Sequence, residues 1–375
     1  MDFALTDIQE MLKDSASKFI TNTYAFDARQ KLSESERGYS EEHWQLFAEL
    51  GWLALPFEEQ YDGLDGTAVE LMVLMETLGK GLLLEPYLST VVLSGNLIQR
   101  LGTESQKSEW LTAIAGGEKK VAFAGFETAS QTDITAITTR AEINGDTVKL
   151  SGKKPVVLHA QSADVLLVAA KTSDSEVGVF MVSPKDSGVT ISSYPTNDGG
   201  RAADVTLNNV TVAADARLGE GGSAVDAINR VLADAIIAVS AEAVGLMEKL
   251  LNATVEYTRV RKQFDMPIAR FQVLQHKMVD MFMEVEQARS ILYYGAISLS
   301  ANNGEDAVKA ASMVKAKIGS ASRLVGQTAV QLHGGMGVTE ELDVGHMFKR
   351  LTMINTLFGS HDAHMDALIK AEQAA

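Results

Sequence analysis

Apolar residues recur along this chain first at helical spacing, then at alternate positions, then at helical spacing again. Ile8, Leu12, Phe19 and Ile20 mark one face of a helix opened by Thr6-Asp-Ile-Gln9, a capping-box pattern. Ser40 predicts a second cap, ahead of Trp44, Phe47 and Leu50, with Gly51 as the stop. Leu55-Pro-Phe-Glu-Glu-Gln-Tyr-Asp-Gly-Leu-Asp-Gly66 reads as a loop from its Pro, Gly and Asp content. Helical patterns follow over 68–78 and 87–101, and Thr103-x-x-Gln106 caps another that ends at Gly116-Gly117.

From Val121 to Leu218 the period changes to two. Asn144-Gly145 sits between alternating flanks in Ala141-Glu-Ile-Asn-Gly-Asp-Thr-Val-Lys-Leu150, which predicts a β-hairpin. Short strands are expected at Val165-Leu-Leu-Val-Ala, Val177-Gly-Val-Phe-Met-Val and Val205-Thr-Leu-Asn-Asn-Val-Thr-Val, which together make a small sandwich or barrel. Beyond Gly221-Gly222, long helical patterns cover 224–264, 271–299, 306–331 and 347–371. Four long helices with short connections predict an antiparallel four-helix bundle. The fold class is therefore α+β, with an N-terminal helical domain at 1–120, a middle β domain at 121–221 and a C-terminal helical bundle at 222–375.

Composition narrows the function. At 375 residues the chain is longer than one typical core requires, and its 46% hydrophobic content is that of a folded protein. It contains no uncharged apolar run of about 18 residues, as a membrane span would need. Met-Asp-Phe-Ala-Leu-Thr-Asp lacks the basic and apolar regions of a signal peptide, and a cytoplasmic location is expected. Zero cysteines rule out disulfides, thiolate metal sites and thiol nucleophiles. A net charge of −16 disfavours nucleic acid and anionic membranes, which need a basic face. A phosphorylated cofactor remains compatible, because a local Arg and a few backbone amides suffice to hold a diphosphate.

Candidate chemistry concentrates near Arg261-Lys-Gln-Phe264 and Gln331-Leu-His-Gly-Gly-Met-Gly337. Glycines allow close backbone approach to a phosphate, Arg261 offers a charge-assisted fork, and Gln272 and Gln331 offer amide hydrogen bonds. Taken singly, Arg261 is as readily a solvated helix residue and Phe264 a core side chain. In order along the chain, however, Gly51-Trp-Leu-Ala-Leu-Pro56, Glu256-Tyr-Thr-Arg-Val-Arg-Lys-Gln-Phe264, Phe271-Gln-Val-Leu-Gln-His-Lys-Met and Gln331-Leu-His-Gly-Gly resemble the acyl-CoA dehydrogenase family over nearly the whole length. The resemblance implies FAD held between protomers. The positions that match the cofactor-binding motifs are Arg261, Gln263, Phe264, Gln272, Gln331, Gly334 and Gly335. It further implies an acyl-CoA substrate and an electron-transfer flavoprotein as acceptor.

The family's reaction takes an α-proton onto a carboxylate and a β-hydride onto flavin. Where the resemblance places that carboxylate, this chain reads Leu357-Phe358-Gly359-Ser360, and phenylalanine accepts no proton. The alternative family position, on the long helix before Gly245-Leu246, falls at Ala235. Asp234, Glu242 and Asp362 are the acids near these positions, each equally readable as a capping or surface carboxylate. The stretches that face the flavin from the protomer's own side correspond to Phe126-Glu-Thr-Ala129 and Val156-Val-Leu158-His159, and both are altered. The resemblance is thus to the base-deficient small subunit of heteromeric bacterial dehydrogenases of the pimeloyl-CoA or steroid-degrading type, with a homologous base-bearing partner. A homo-oligomeric flavoenzyme performing elimination and a non-catalytic scaffold subunit are the competing readings.

Other polar residues stay with simpler readings. His333 is either a phosphate ligand or a partner for the helix dipole. His346, His361 and His364 lack metal-ligand spacing, and Ser360 has no His/Asp partner in its sequence context.

Overall fold

The computed structural model describes residues 4–128, 133–301 and 305–374. The chain opens with α1 (Asp7–Asn22), whose N-cap Thr6 and Gln9 form the expected reciprocal capping box. Helices α2 (Phe26–Glu34) and α3 (Glu41–Glu49) follow, and the Ser40 side chain accepts from His43 N to cap α3. α4 (Ala68–Gly79) precedes a π-helical segment, Leu88–Gly95, that continues as α5 (Asn96–Leu101). The single helix expected over 87–101 therefore changes pitch partway. α6 (Glu104–Ala115) starts on a second capping box, Thr103 with Gln106.

Seven strands form one mixed sheet: β1 (Val121–Ala124), β2 (Arg140–Asn144), β3 (Thr147–Leu158), β4 (Val165–Lys171), β5 (Val177–Val182), β6 (Val189–Pro195) and β7 (Arg201–Ala213). Their order is β1-β4-β2-β3-β7-β6, with β5 also paired to β4. β2 and β3 pair antiparallel with Asn144 opposite Thr147, and Gly145 takes the positive φ that the hairpin turn needs. Val148, Leu150, Leu166, Val168, Phe180, Val205 and Val210 build a core from alternate strand positions. Two β-bulges interrupt the β3–β7 pairing, one of them between Lys154 and Val157.

α7 (Val225–Val260) runs for 36 residues. A short hairpin of β8 (Lys262–Gln263) and β9 (Met266–Pro267) leads into α8 (Gln272–Ala301), α9 (Glu305–His333), α10 (Asp343–Thr356) and α11 (His361–Ala374). The helix expected over 347–371 is thus two helices. They part at Phe358 and Gly359, which both take positive φ, at +58° and +106°.

Contacts gather the chain into two compact units. The first comprises 1–31, 68–83 and 236–375; the second comprises 32–67 and 84–235. In the first, α9 packs against α8, α10 and α11, and α4 packs on α1 and α8. The glycine inside α7 has a reason in this packing. A Cβ on Gly245 would lie 1.9 Å from the Glu76 carbonyl of α4, and one on Gly79 would lie 2.5 Å from the Glu242 carbonyl of α7. The two helices touch backbone to backbone through reciprocal glycines, at a position that also fixes Glu242. In the second unit the sheet packs with the π-helical segment, and Thr90 Oγ1 donates to Val121 O at its edge. Among the described residues, no helix is long and apolar enough to cross a membrane.

Candidate functional site

The polar groups singled out in the sequence gather where α7 and α9 end, inside the first unit. Arg261 follows the last residue of α7 and its backbone N–H still donates to Tyr257 O at 2.9 Å. The chain then reverses over Phe264 and Asp265, at φ +53° and +60°, so Gln263 pairs with Met266 across the β8–β9 hairpin. Phe264 is 81% exposed, which removes the core reading of that ring. It meets Phe271 edge-on at 6.1 Å, and this contact ties the hairpin to the start of α8, where Gln272 is also exposed.

Gln331 lies in the last turn of α9, and Gly334, at φ +60°, ends the helix. Gln331, Gly334 and Gly335 line an open depression of about 440 Å³ with Gln327, Val330, Val338 and Phe348. Nothing lies within 4 Å of a Cβ built on Gly334 or Gly335. The glycines stand at a helix C-terminus, where carbonyls rather than amides are left over, so the helix dipole does not favour an anion here. Their contribution is clearance, and positive charge has to come from Arg261.

What joins the two groups is a contact that the sequence did not announce. Tyr257 stacks on His333 with ring centroids 4.4 Å apart and planes 27° from parallel, and its hydroxyl donates to His333 O at 3.3 Å. His333 is buried and its Nδ1–H donates to Ala329 O at 2.8 Å, so it serves packing and helix geometry rather than a phosphate. The end of α7 is thereby held against the end of α9.

The donor set suits a dinucleotide diphosphate. The side chains of Arg261, Gln263, Gln272 and Gln331 are exposed and make no hydrogen bond or ion pair among the described residues. Their donors are unspent, and the apolar side chains of Val330, Val338 and Phe348 line the depression beside Gln331.

The turn at Phe358 contrasts with this corner. Lys315, on α9, donates its ammonium to Asn355 O at 3.2 Å and to Gly359 O at 2.7 Å, and His364, on α11, bonds Phe358 O through Nε2 at 2.9 Å. Both supports are buried; burial pushes the Lys315 ammonium down to about 8, and burial also lowers His364. The backbone of Phe358 is thus fixed in a left-handed conformation that a bulky side chain does not favour. A chemical group at this turn would be well presented, and the side chain presented is a phenyl ring.

Each of the three nearby acids has a structural setting of its own. Glu242 is 3% exposed and grips Arg350 of α10 in a bidentate pair, 2.6 Å to Nε and 2.7 Å to Nη2. Asp234 lies between Arg100 at 3.3 Å and Arg230 at 3.4 Å; burial raises its carboxyl while both arginines pull it down. Asp362 is exposed in the first turn of α11, an ordinary helix-start acid. Ala235 is fully buried.

In the second unit, Val156 sits on the β3 bulge at φ +53° and 52% exposed, and His159 follows at φ +54°. A β-branched residue with positive φ is a backbone outlier, so the bulge keeps a special shape without a polar side chain at its tip. Glu127 turns inward: its carboxylate accepts from Thr138, from Thr139 and from Lys154 Nζ at 2.9 Å. Burial opposes its ionisation, but these bonds outweigh burial and hold it at about 2. Ala129 lies outside the described residues. His346 pairs with Glu340 at 3.0 Å and His361 bonds Ala316 O, and no group able to hold a metal occurs among the described residues.

Sequence reasoning missed Tyr257, Arg350, Lys315 and the Lys154–Glu127 pair. Lys315 left a readable signal, a cation at helical spacing from the buried Ala311 and Ile318. Tyr257 left none, because its partner is a backbone carbonyl 76 residues away.

Comparison with known proteins accounts for both ends of the chain. Residues 6–118 match the acyl-CoA dehydrogenase N-terminal domain and residues 225–372 match the C-terminal domain. The chain is 29% identical to the probable acyl-CoA dehydrogenase YngJ of Bacillus subtilis, covering 100% of this chain and 99% of that protein. The structure superposes on butyryl-CoA dehydrogenase from Megasphaera elsdenii with a TM-score of 0.90 at 28% identity, covering 100% of both chains. It also superposes on the Tcur3481-Tcur3483 steroid ACAD G363A variant with a TM-score of 0.88 at 27% identity, covering 98% of this chain and 99% of that one. Helical ends around a seven-stranded sheet, matched at this length in sequence and shape, make the chain a member of the acyl-CoA dehydrogenase family of FAD flavoproteins.

Proposed function

We propose that this chain is the base-deficient subunit of a heteromeric acyl-CoA dehydrogenase. It contributes Arg261, Gln263, Phe264, Gln272, Gln331, Gly334 and Gly335 to an FAD shared with a homologous partner. The partner supplies the carboxylate for α-proton abstraction, and electrons leave to an electron-transfer flavoprotein. The observation that carries this reading is Phe358, held in a fully supported turn while Glu242 and Asp234 are tied to arginines and Asp362 faces solvent. Unspent donors on Arg261 and Gln331 support the cofactor contribution, and the paired chain names of the steroid ACAD relative support a two-chain assembly.

Bound FAD supplies the hydride acceptor. Arg261 offers two parallel N–H donors to a diphosphate, and Gln331 offers an amide able to donate and accept at once. Gly334 and Gly335 let a cofactor approach the backbone, and the exposed ring of Phe264 provides a flat apolar face. No residue of this chain near the turn takes a proton from substrate.

The test is purification of the chain alone and together with a homologue that bears a carboxylate in its own α10–α11 turn. Alone, the chain should be flavin-poor and should not reduce an electron-accepting dye with acyl-CoA; the mixture should hold FAD and turn over. Stoichiometric FAD with turnover by the lone chain sinks the reading. Full FAD occupancy with elimination rather than oxidation of the acyl group establishes the homo-oligomeric lyase instead.

A further inference from the structure

We propose that Tyr257 and His333 are positioning residues, a clasp that holds the Arg261 end of α7 and the Gly334-Gly335 end of α9 as one preassembled half-site for FAD. This rests on the reading of Arg261 as a cofactor donor.

The argument begins with what each end lacks. Arg261 lies beyond the last helical residue of α7 and is followed by a two-strand hairpin that is solvent-exposed except at Pro267. Gly334 and Gly335 are exposed and have open space around them. The Phe264–Phe271 contact ties the hairpin to α8, which leaves its distance from the end of α9 to be set elsewhere, and an FAD that had to fix that distance would bind more weakly for it. The brace sits just ahead of each, four residues before Arg261 and one before Gly334. Tyr257 is the residue whose carbonyl accepts from Arg261 N, and His333 directly precedes Gly334.

Each half of the clasp is itself oriented. The His333 Nδ1–H bond to Ala329 O sets the plane of the imidazole, because a carbonyl only accepts and the proton must sit on Nδ1. Tyr257 then lies nearly parallel to that plane and spends its hydroxyl on His333 O, one of the last carbonyls of α9. The hydroxyl bond therefore adds a side-chain donor to the carbonyl where α9 passes into the 3-10 turn Gly334–Val338, and it sets the distance from α7 to that turn. Core packing alone does not require it, since a phenylalanine at 257 would keep the stack.

The experiment measures FAD binding by quenching of flavin fluorescence, with the thermal midpoint of the FAD-free protein read in parallel. The chain is used together with the base-bearing homologue that completes the FAD site. Tyr257→Phe removes only the hydroxyl bond and should raise the Kd for FAD about three- to tenfold, the size of one net hydrogen bond. In an Arg261→Ala background the same change should have less than about a twofold effect, because a clasp that positions Arg261 has little left to position. An unchanged Kd for Tyr257→Phe, or the same loss in both backgrounds, overturns the clasp, the latter marking a general loosening. Weakened FAD binding by Arg261→Ala with none by Tyr257→Phe leaves the donor reading standing and removes the clasp alone. An Arg261→Ala protein that binds FAD as well as the parent overturns both.

Discussion

The corner at the ends of α7 and α9 and the turn between α10 and α11 are built in opposite ways. At the corner the polar groups are exposed and unspent while the backbone around them is lightly braced, by a tyrosine stacked on a histidine. At the turn the backbone is pinned from two helices by Lys315 and His364, while the side chain on display is apolar. One region has kept its chemistry on a modest scaffold, and the other has kept its scaffold without the chemistry. On the proposed reading the difference follows from a shared active site, in which only groups given to a neighbouring chain need to stay reactive.

The sharpest way to break the comparison is at Glu242, the acid most easily mistaken for a relocated base. If it is structural, Glu242→Leu removes the bidentate partner of the part-buried Arg350 guanidinium and should cost about 2–3 kcal/mol, read as a lower urea midpoint. Unchanged stability with a loss of acyl-CoA oxidation would instead make Glu242 a catalytic group and dissolve the contrast.

Lys315 tests the scaffold of the turn. Its folded value near 8 lies below its ordinary 10.5, so the folded protein sheds this proton first as pH rises. The unfolded chain then binds more protons, and stability gains with pH from about 8 toward 10.5. Lys315→Met should flatten that gain in urea melts at pH 8 and 9.5; comparison of the two proteins cancels the shared tyrosine titrations. Equal slopes for parent and variant would show that Lys315 is not the buried cation holding the turn.

The smallest effect concerns the bulge at Val156. Asparagine tolerates the left-handed region better than a β-branched residue does, so Val156→Asn should stabilise by about 0.5–1 kcal/mol. A calorimetric midpoint that falls would mean that the valine is packed rather than merely strained.

The helical caps at Thr6, Ser40 and Thr103, the hairpin at Asn144-Gly145 and the long C-terminal helices were legible in the sequence. Each is set by spacing and by residues within a few positions of one another. Arg261 and Gln331 drew notice for a related reason, since both stand in compact motifs. The break at Phe358 escaped the periodicity because a left-handed turn of two residues shifts the helical phase without interrupting the apolar pattern.

By itself, then, the sequence put a phenylalanine where the family resemblance expects the base, and it supplied an arginine and glutamines whose donors suit a dinucleotide. The tertiary structure decided which charged groups are available. It closed Glu242 onto Arg350 and Asp234 between Arg100 and Arg230, and it left Arg261 and Gln331 open. The Glu242–Arg350 and Asp234–Arg100 pairs join residues more than a hundred positions apart and depend on how helices pack, whereas Asp234–Arg230 is a local pair along α7; the reciprocal contact of Gly79 and Gly245 is a crossing that no local pattern encodes.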